Sequence, residues 1–266
     1  MMERYYRLAG VELAIQMDEN LMYEDERTLA PFAVESVSEP HCYSFEVVEE
    51  LDPPRGNCVT TQPDFVVWQD GDTEIRYINL TRKVWEDGGI RAEHCGRNHR
   101  VQLKAGRYLS GVGVKTVLNS LEAEHLIARS SGFVFHSSYI VLDGRAILFT
   151  APSGTGKSTQ AELWRVLRGA EIINGDRSAV RILESDSSSV VADGIPFAGS
   201  SQICKNVTAP LAAIVYLGQA PQTTIRKLRG FEAFRSVWEG VSVNTWDETD
   251  VALVSETVQR VVQTVP

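Results

Sequence analysis

Apolar positions in the first hundred residues come in short runs separated by turn signals. "VELAIQM" (11–17), "SFEVVEEL" (44–51) and "DFVVWQD" (64–70) each have the length of a strand, and "DPPRGN" (52–57) and "DGD" (70–72) punctuate them. Alternation continues at Ile75, Tyr77 and Asn79, and "DGG" (87–89) turns the chain back into "IRAEHC". Residues 1–111 therefore read as a β-rich, antiparallel module. It shows no recognisable catalytic constellation. Its aromatics Trp68 and Trp85 read as strand packing, with ligand binding as the alternative.

The period changes at 112. Val114, Val117, Leu118, Leu121, His125 and Leu126 fall near helical spacing within 112–132, with Gly132 as the stop. His125 lies beside that apolar stripe and reads as a packed histidine. Further on, "FVFHSSYIVL" predicts a strand, "DG" (143–144) a hairpin turn and "RAILFT" a second strand. A helix then runs through Leu167 to a stop at Gly169, and "AEIING" is a strand leading into Asp176. "SAVRIL" and "VVADGIPF" predict a hairpin around the serine-rich loop 184–189, followed by a buried strand in "APLAAIVYLGQ". "FEAFRSVWEGV" and "VALVSETVQRVVQTV" are amphipathic and predict helices. Hairpins interleaved with helices indicate a mixed α/β (α+β) domain with a mixed sheet over 112–266.

Composition removes several classes of function. Hydrophobic residues make up 43% of the 266, enough for real cores. A net charge of −9 argues against nucleic acid and membrane surfaces, which need a basic face. No apolar run approaches the roughly 20 residues of a membrane span. "MMERYYRLAG" lacks the apolar segment of a signal peptide, so a cytoplasmic protein is expected. Cys42, Cys58, Cys95 and Cys204 form no C-x-x-C pair. Two follow histidines (His41–Cys42, His94–Cys95, with His99 nearby), which raises the question of a metal. Adjacent strand residues point to opposite faces, however, and four reduced thiols are the expectation.

Chemistry concentrates in "FTAPSGTGKSTQAELW" (149–164). Ala151 opens a loop that closes on Gly156-Lys157-Ser158, with Thr159 behind; alanine replaces the usual first glycine of this pattern. Gly154 and Gly156 free the backbone to aim successive N–H groups inward, and the following helix adds partial positive charge. Ser153 to Thr159 (Ser153, Gly154, Thr155, Gly156, Lys157, Ser158, Thr159) are thus the candidate nucleotide-binding set. Lys157 supplies a full charge for the β- and γ-phosphates, and Ser158 a hydroxyl for Mg²⁺. Asp176, at the end of the strand "AEIING", can hold Mg²⁺ or take a proton from an attacking hydroxyl. Arg177 beside it can pair with phosphate or stand in solvent. His136 ends a strand one hairpin before the loop and is the remaining candidate. The N-K-x-D guanine motif is missing; "NTWD" (244–247) departs from it and reads as a loop.

Four pieces in order, "FVFHSS", "APSGTGKST", "IINGD" and "GIPFAGSSQICKNVTAPLAAIVYL", resemble the HPr kinase/phosphorylase family, including HPr-kinase-like peptide kinases of lasso-peptide type gene clusters. The resemblance spans roughly 112–262. It implies the P-loop kinase fold shared with phosphoenolpyruvate carboxykinases, ATP and Mg²⁺ as cofactors, Lys157 and Ser158 on nucleotide and metal, Asp176 as the catalytic carboxylate, and His136 near the phosphates. It places Gly199, Ser200 and Ser201, with Asn206 less directly, near the acceptor. Two-way family members carry a second aspartate where this chain has Gly175, so phosphorolysis of product is expected to be weak. Relatives also tend to continue into another strand beyond the position of Pro266. A homo-oligomer would follow the family, although the N-terminal half differs. The resulting expectation is a kinase for a serine or threonine hydroxyl of a peptide or small protein. The alternatives are a small-metabolite kinase and a nucleotide-binding regulatory module without transfer.

Overall fold

The computed structural model describes residues 1–21, 27–78, 89–108, 112–183 and 186–266. Asn79, Trp85 and most of the "DGG" turn lie outside them. The chain divides into two units, Met1–Arg7 with Val11–Glu122, and Leu8–Gly10 with Ala123–Pro266. The first unit thus extends past residue 111, the boundary the sequence suggests.

The first unit carries β1 (Met2–Leu8), β2 (Val11–Met17), β3 (Ala33–Val34), β4 (His41–Val48), β5 (Asn57–Thr61), β6 (Phe65–Asp70), β7 (Thr73–Ile78), β8 (Ile90–Cys95) and β9 (Asn98–Lys104), then α1 (Ala105–Tyr108) and α2 (Val114–Ser120). Among the described residues these strands form one sheet in the order β3-β1-β2-β4-β9-β8-β7-β6-β5. The sheet is mixed, which corrects the antiparallel expectation: β2 pairs with β4 in parallel, and so does β4 with β9. The reason lies in the connections. The meander β5 to β8 separates β4 from β9, so β9 returns beside β4 pointing the same way.

The single helix expected across 112–132 is also corrected. Leu121 is extended (φ −84°, ψ 138°) and closes α2, and the Glu122 carboxylate turns inward to the guanidinium of Arg76, 3.2 Å away. A new helix, α3 (Ala123–Arg129), then opens the second unit.

That unit holds β10 (Gly132–His136), β11 (Ser138–Leu142), β12 (Arg145–Thr150), α4 (Lys157–Arg168), β13 (Glu171–Asn174), β14 (Arg177–Leu183), β15 (Asp186–Gly194), β16 (Thr208–Tyr216), α5 (Gly230–Trp238), β17 (Val241–Ser242) and α6 (Glu248–Thr264). The sheet order is β13-β11-β12-β16-β15-β14-β10-β17, with β12 and β16 parallel and the other pairs antiparallel. It is a mixed α/β unit with few helices. "FVFHSSYIVL" is two strands and not one. Ser137 leaves both ladders, donating its N–H to the Asp176 carbonyl (3.0 Å) and sharing a 2.7 Å hydroxyl contact with Ser178. The chain thereby passes from one part of the sheet to another, and the break lies beside the candidate aspartate.

Side-chain alternation gives this sheet two buried faces. Tyr139, Ala146 and Leu148 join one apolar core with Phe133, Phe135 and residues of α6 such as Val254, Val258 and Val261. Ile140 and Phe149 point to the other face and pack with Ala161 and Trp164 of α4. Burying both faces is why β11 and β12 read as continuous apolar runs. The second core anchors α4 directly behind the glycine loop, with the Phe149 and Trp164 rings 6.0 Å apart. Full burial of a side chain the size of Phe149 stabilises by about 1.5–3 kcal/mol.

Candidate active site

The glycine loop lies between the end of β12 at Thr150 and the start of α4 at Lys157. Gly154 (φ +78°) and Gly156 (φ +117°) occupy left-handed backbone, which side-chain-bearing residues rarely adopt. A Cβ at either position would meet nothing within 4 Å, so backbone conformation and not crowding selects glycine, and the loop faces open space. Ser153, Gly154, Ser158 and Thr159 are exposed, while Thr155 is half-buried with its N–H on the Pro152 carbonyl (3.3 Å).

Lys157 behaves differently from its neighbours. It is only 9% exposed, and its ammonium folds back to donate to the Ala151 carbonyl at 2.9 Å. Burial pushes its pKa below the ordinary 10.5, while the Asp176 carboxylate pulls it the other way. The carbonyl hydrogen bond holds the ammonium at the loop, and an anion bound there offers it a stronger, charge-assisted partner.

Asp176 is positioned by a residue that sequence reasoning passed over. Asn174 is fully buried at the end of β13; its amide donates to the Ile195 carbonyl (2.7 Å), and its oxygen accepts the N–H groups of Asp176 (2.9 Å) and Arg177 (3.0 Å). The signal was present in "NGD", an asparagine that bonds backbone two residues on. Nε2 of His136 lies 3.1 Å from Oδ1 of Asp176. His136 is itself held at both ends of its peptide unit, by an N–H bond to the Gly240 carbonyl (2.7 Å) and by the Thr150 hydroxyl on its own carbonyl (3.0 Å). Thr150, the last residue before the loop, thus ties the histidine to the strand that enters the glycine loop. The His136 and Asp176 side chains are 40% and 35% exposed, open to a substrate from solvent.

Arg177 shares its charge with Glu124 (3.4 Å) and lies 6.0 Å from the centre of the Phe197 ring. The turn Gly199–Ser201 packs directly on the aspartate: with φ +56°, Gly199 comes so close that a Cβ there would stand 2.6 Å from Cβ and Cγ of Asp176. Ser201 donates to the Ala198 carbonyl (2.8 Å) and accepts from the Ile203 N–H (3.2 Å). The backbone of Ser200 belongs to the same turn. Gly175 is closed off by this turn, because a Cβ at 175 would lie 2.3 Å from Oγ of Ser201. Two other sequence expectations resolve outside the site. Nδ1 of His125 lies 2.9 Å from the buried Asp250 in an ion-paired cluster with Arg129, and Asp247 of "NTWD" caps α6 by accepting from the N–H groups of Thr249 and Asp250.

The residues suit a magnesium nucleotide. The loop offers open left-handed glycines, a partly desolvated ammonium and an exposed hydroxyl at Ser158, and Asp176 adds an accessible carboxylate. Those are the hard oxygen donors and the cation such a ligand requires.

Among the described residues, no helix is long and apolar enough to cross a membrane. No family model matches the chain, and no curated protein matches it. Among solved structures, it is similar to the Hpr(Ser) kinase/phosphatase from Coxiella burnetii, at 15% identity and a TM-score of 0.27, over 37% of this chain and 73% of that one.

Proposed function

We propose that this protein is an ATP-dependent phosphotransferase that moves the γ-phosphate to a serine or threonine hydroxyl of a peptide or small protein. The observation that carries the reading is the link between the glycine loop and the aspartate. Lys157 begins the helix after a left-handed glycine loop, Thr150 just before that loop donates to the His136 carbonyl, and His136 bonds the Asp176 carboxylate.

The loop N–H groups and Lys157 would hold the phosphates, and Ser158 with Asp176 would hold Mg²⁺. When bound, the metal neutralises charge on the transferred group. Asp176 would orient the acceptor hydroxyl and accept its proton, with Oδ1 held by the His136 contact. The exposure of this pair favours an acceptor presented on a chain over a small metabolite enclosed in a pocket. With Gly175 closed off by Ser201, no second carboxylate stands beside Asp176 at that position. Forward transfer is therefore expected to outrun phosphorolysis of the product.

The test is incubation of the purified full chain with γ-labelled ATP, Mg²⁺ and a peptide library containing serine or threonine. Label in those peptides, and none in a matched library with alanine at the same positions, supports the reading. ATP binding without label in any peptide would replace it with a nucleotide-dependent binding module.

A further inference from the structure

A second cluster of chemistry lies in the first unit. His94 and His99 face each other across the β8–β9 pair, and Glu122 follows α2. All three are 4% exposed. Nδ1 of His94 lies 3.1 Å from Nδ1 of His99 and 3.3 Å from Oε2 of Glu122, and the three ligand atoms lie within 4.8 Å of one another. We propose that His94, His99 and Glu122 bind a divalent transition-metal ion of the zinc class, with a water completing its shell.

Spacing is the first reason. Ligands about 2.0–2.1 Å from a tetrahedral zinc stand about 3.3 Å from one another, close to both measured separations. Tautomers are the second. A neutral imidazole carries one N–H, so without a cation a single proton on His94 Nδ1 would have to serve both His99 and Glu122. A metal accepts an electron pair from all three atoms at once.

The surroundings fit a ligand role. The other nitrogen of His99, Nε2, lies 3.1 Å from Nδ1 of His41, which directs Nδ1 of His99 toward the cluster. The ring of Tyr43 stacks on His99 with centroids 4.1 Å apart and so fixes its plane. Oε1 of Glu122 is engaged by Arg76, which leaves Oε2 toward the histidines. Arg76 also bonds Glu74, so two buried or nearly buried carboxylates face one guanidinium. Imidazole with carboxylate suits zinc and its neighbours better than magnesium. Such an ion would pin the β8–β9 hairpin to the end of the first unit. The sequence pairs His41–Cys42 and His94–Cys95 put the histidines into this cluster and leave the cysteines outside it.

The test uses the full chain, dialysed against a chelator and then titrated with Zn²⁺ and, separately, Co²⁺. The expected result is about one zinc retained per chain after desalting, a rise in Tm on zinc addition, and the visible absorption of tetrahedral cobalt. Glu122→Gln should lose the cobalt band. His41→Ala, outside the ligand set, should bind about 10–100-fold more weakly with the band retained. Lys157→Met should bind zinc as wild type does. A folded wild-type chain that retains no zinc and gives no tetrahedral cobalt spectrum overturns the site, and so does a Glu122→Gln variant with an unchanged spectrum.

Discussion

Replacing Lys157 by methionine separates the needs of the site from the needs of the fold. Methionine keeps the apolar stem and removes the ammonium. Two effects on stability then oppose each other. The native state no longer carries a cation that burial disfavours; a folded pKa below the ordinary 10.5 means that the charged form costs stability at neutral pH. Against this, the Ala151 carbonyl loses its 2.9 Å donor. An unmet carbonyl costs about 1–3 kcal/mol, and the relieved burial of the charge offsets part of it. The net change in Tm should stay below about 5 °C. Nucleotide binding has no such compensation. Charge-assisted hydrogen bonds contribute about 1.5–3 kcal/mol, so the affinity for ATP with Mg²⁺ should fall about 10–150-fold. Calorimetric titration of both proteins, with melting curves alongside, reads both quantities. A folded Lys157→Met chain with wild-type ATP affinity would refute the assignment of the loop.

Asn174→Ala should lower Tm and slow transfer together, since it frees the Asp176 and Arg177 N–H groups and the Ile195 carbonyl at once; melting curves with the label-transfer rate check it. Gly175→Asp should destabilise the chain by pushing against Ser201, and only the double variant with Ser201→Gly should fold well enough to reveal added phosphorolysis, measured as pyrophosphate release from phosphorylated product and inorganic phosphate. In the first unit, the Glu39 N–H, the Arg7 guanidinium and the Ser38 N–H hold the Glu12 carboxyl down to about 2 from an ordinary 4.5. Its folded pKa is depressed, so its stabilisation is complete above pH 4.5 and is lost as pH falls toward 2. Glu12→Gln should flatten the stability-versus-pH curve in that window, followed by denaturant melts.

Local rules made the second unit legible. The strand–loop–helix frame around Lys157, the Asp143-Gly144 turn between β11 and β12, the stop at Gly169 and the amphipathic α5 and α6 all follow from short-range pattern. What could not be read depends on distant partners. The break at Ser137 is set by the Asp176 carbonyl and Ser178, and the break at Leu121 accompanies a glutamate that turns to Arg76. The parallel pairs β2–β4 and β4–β9 depend on where a meander returns, which no local period encodes. Within the site, Lys157, His136 and Asp176 stood out by residue type, but their supports Asn174 and Thr150 did not. Buried amides and hydroxyls resemble ordinary turn residues until their partners are known. The closing of Gly175 by Ser201 is likewise a contact across 26 residues of chain.

In the proposed function, Asp176 acts on an acceptor hydroxyl beside a nucleotide held by the loop. The most direct test of that role is the rate of γ-phosphate transfer from labelled ATP to serine- and threonine-containing peptides by wild type and by Asp176→Asn, under matched Mg²⁺. Asparagine keeps the size and removes the charge, at a side chain one-third exposed whose contact with His136 contributes little to stability. Wild type should show measurable transfer and the variant a loss of about 10²–10⁴-fold, with melting behaviour close to wild type. Equal transfer by the two proteins, or peptide labelling by neither while ATP still binds, would contradict that role.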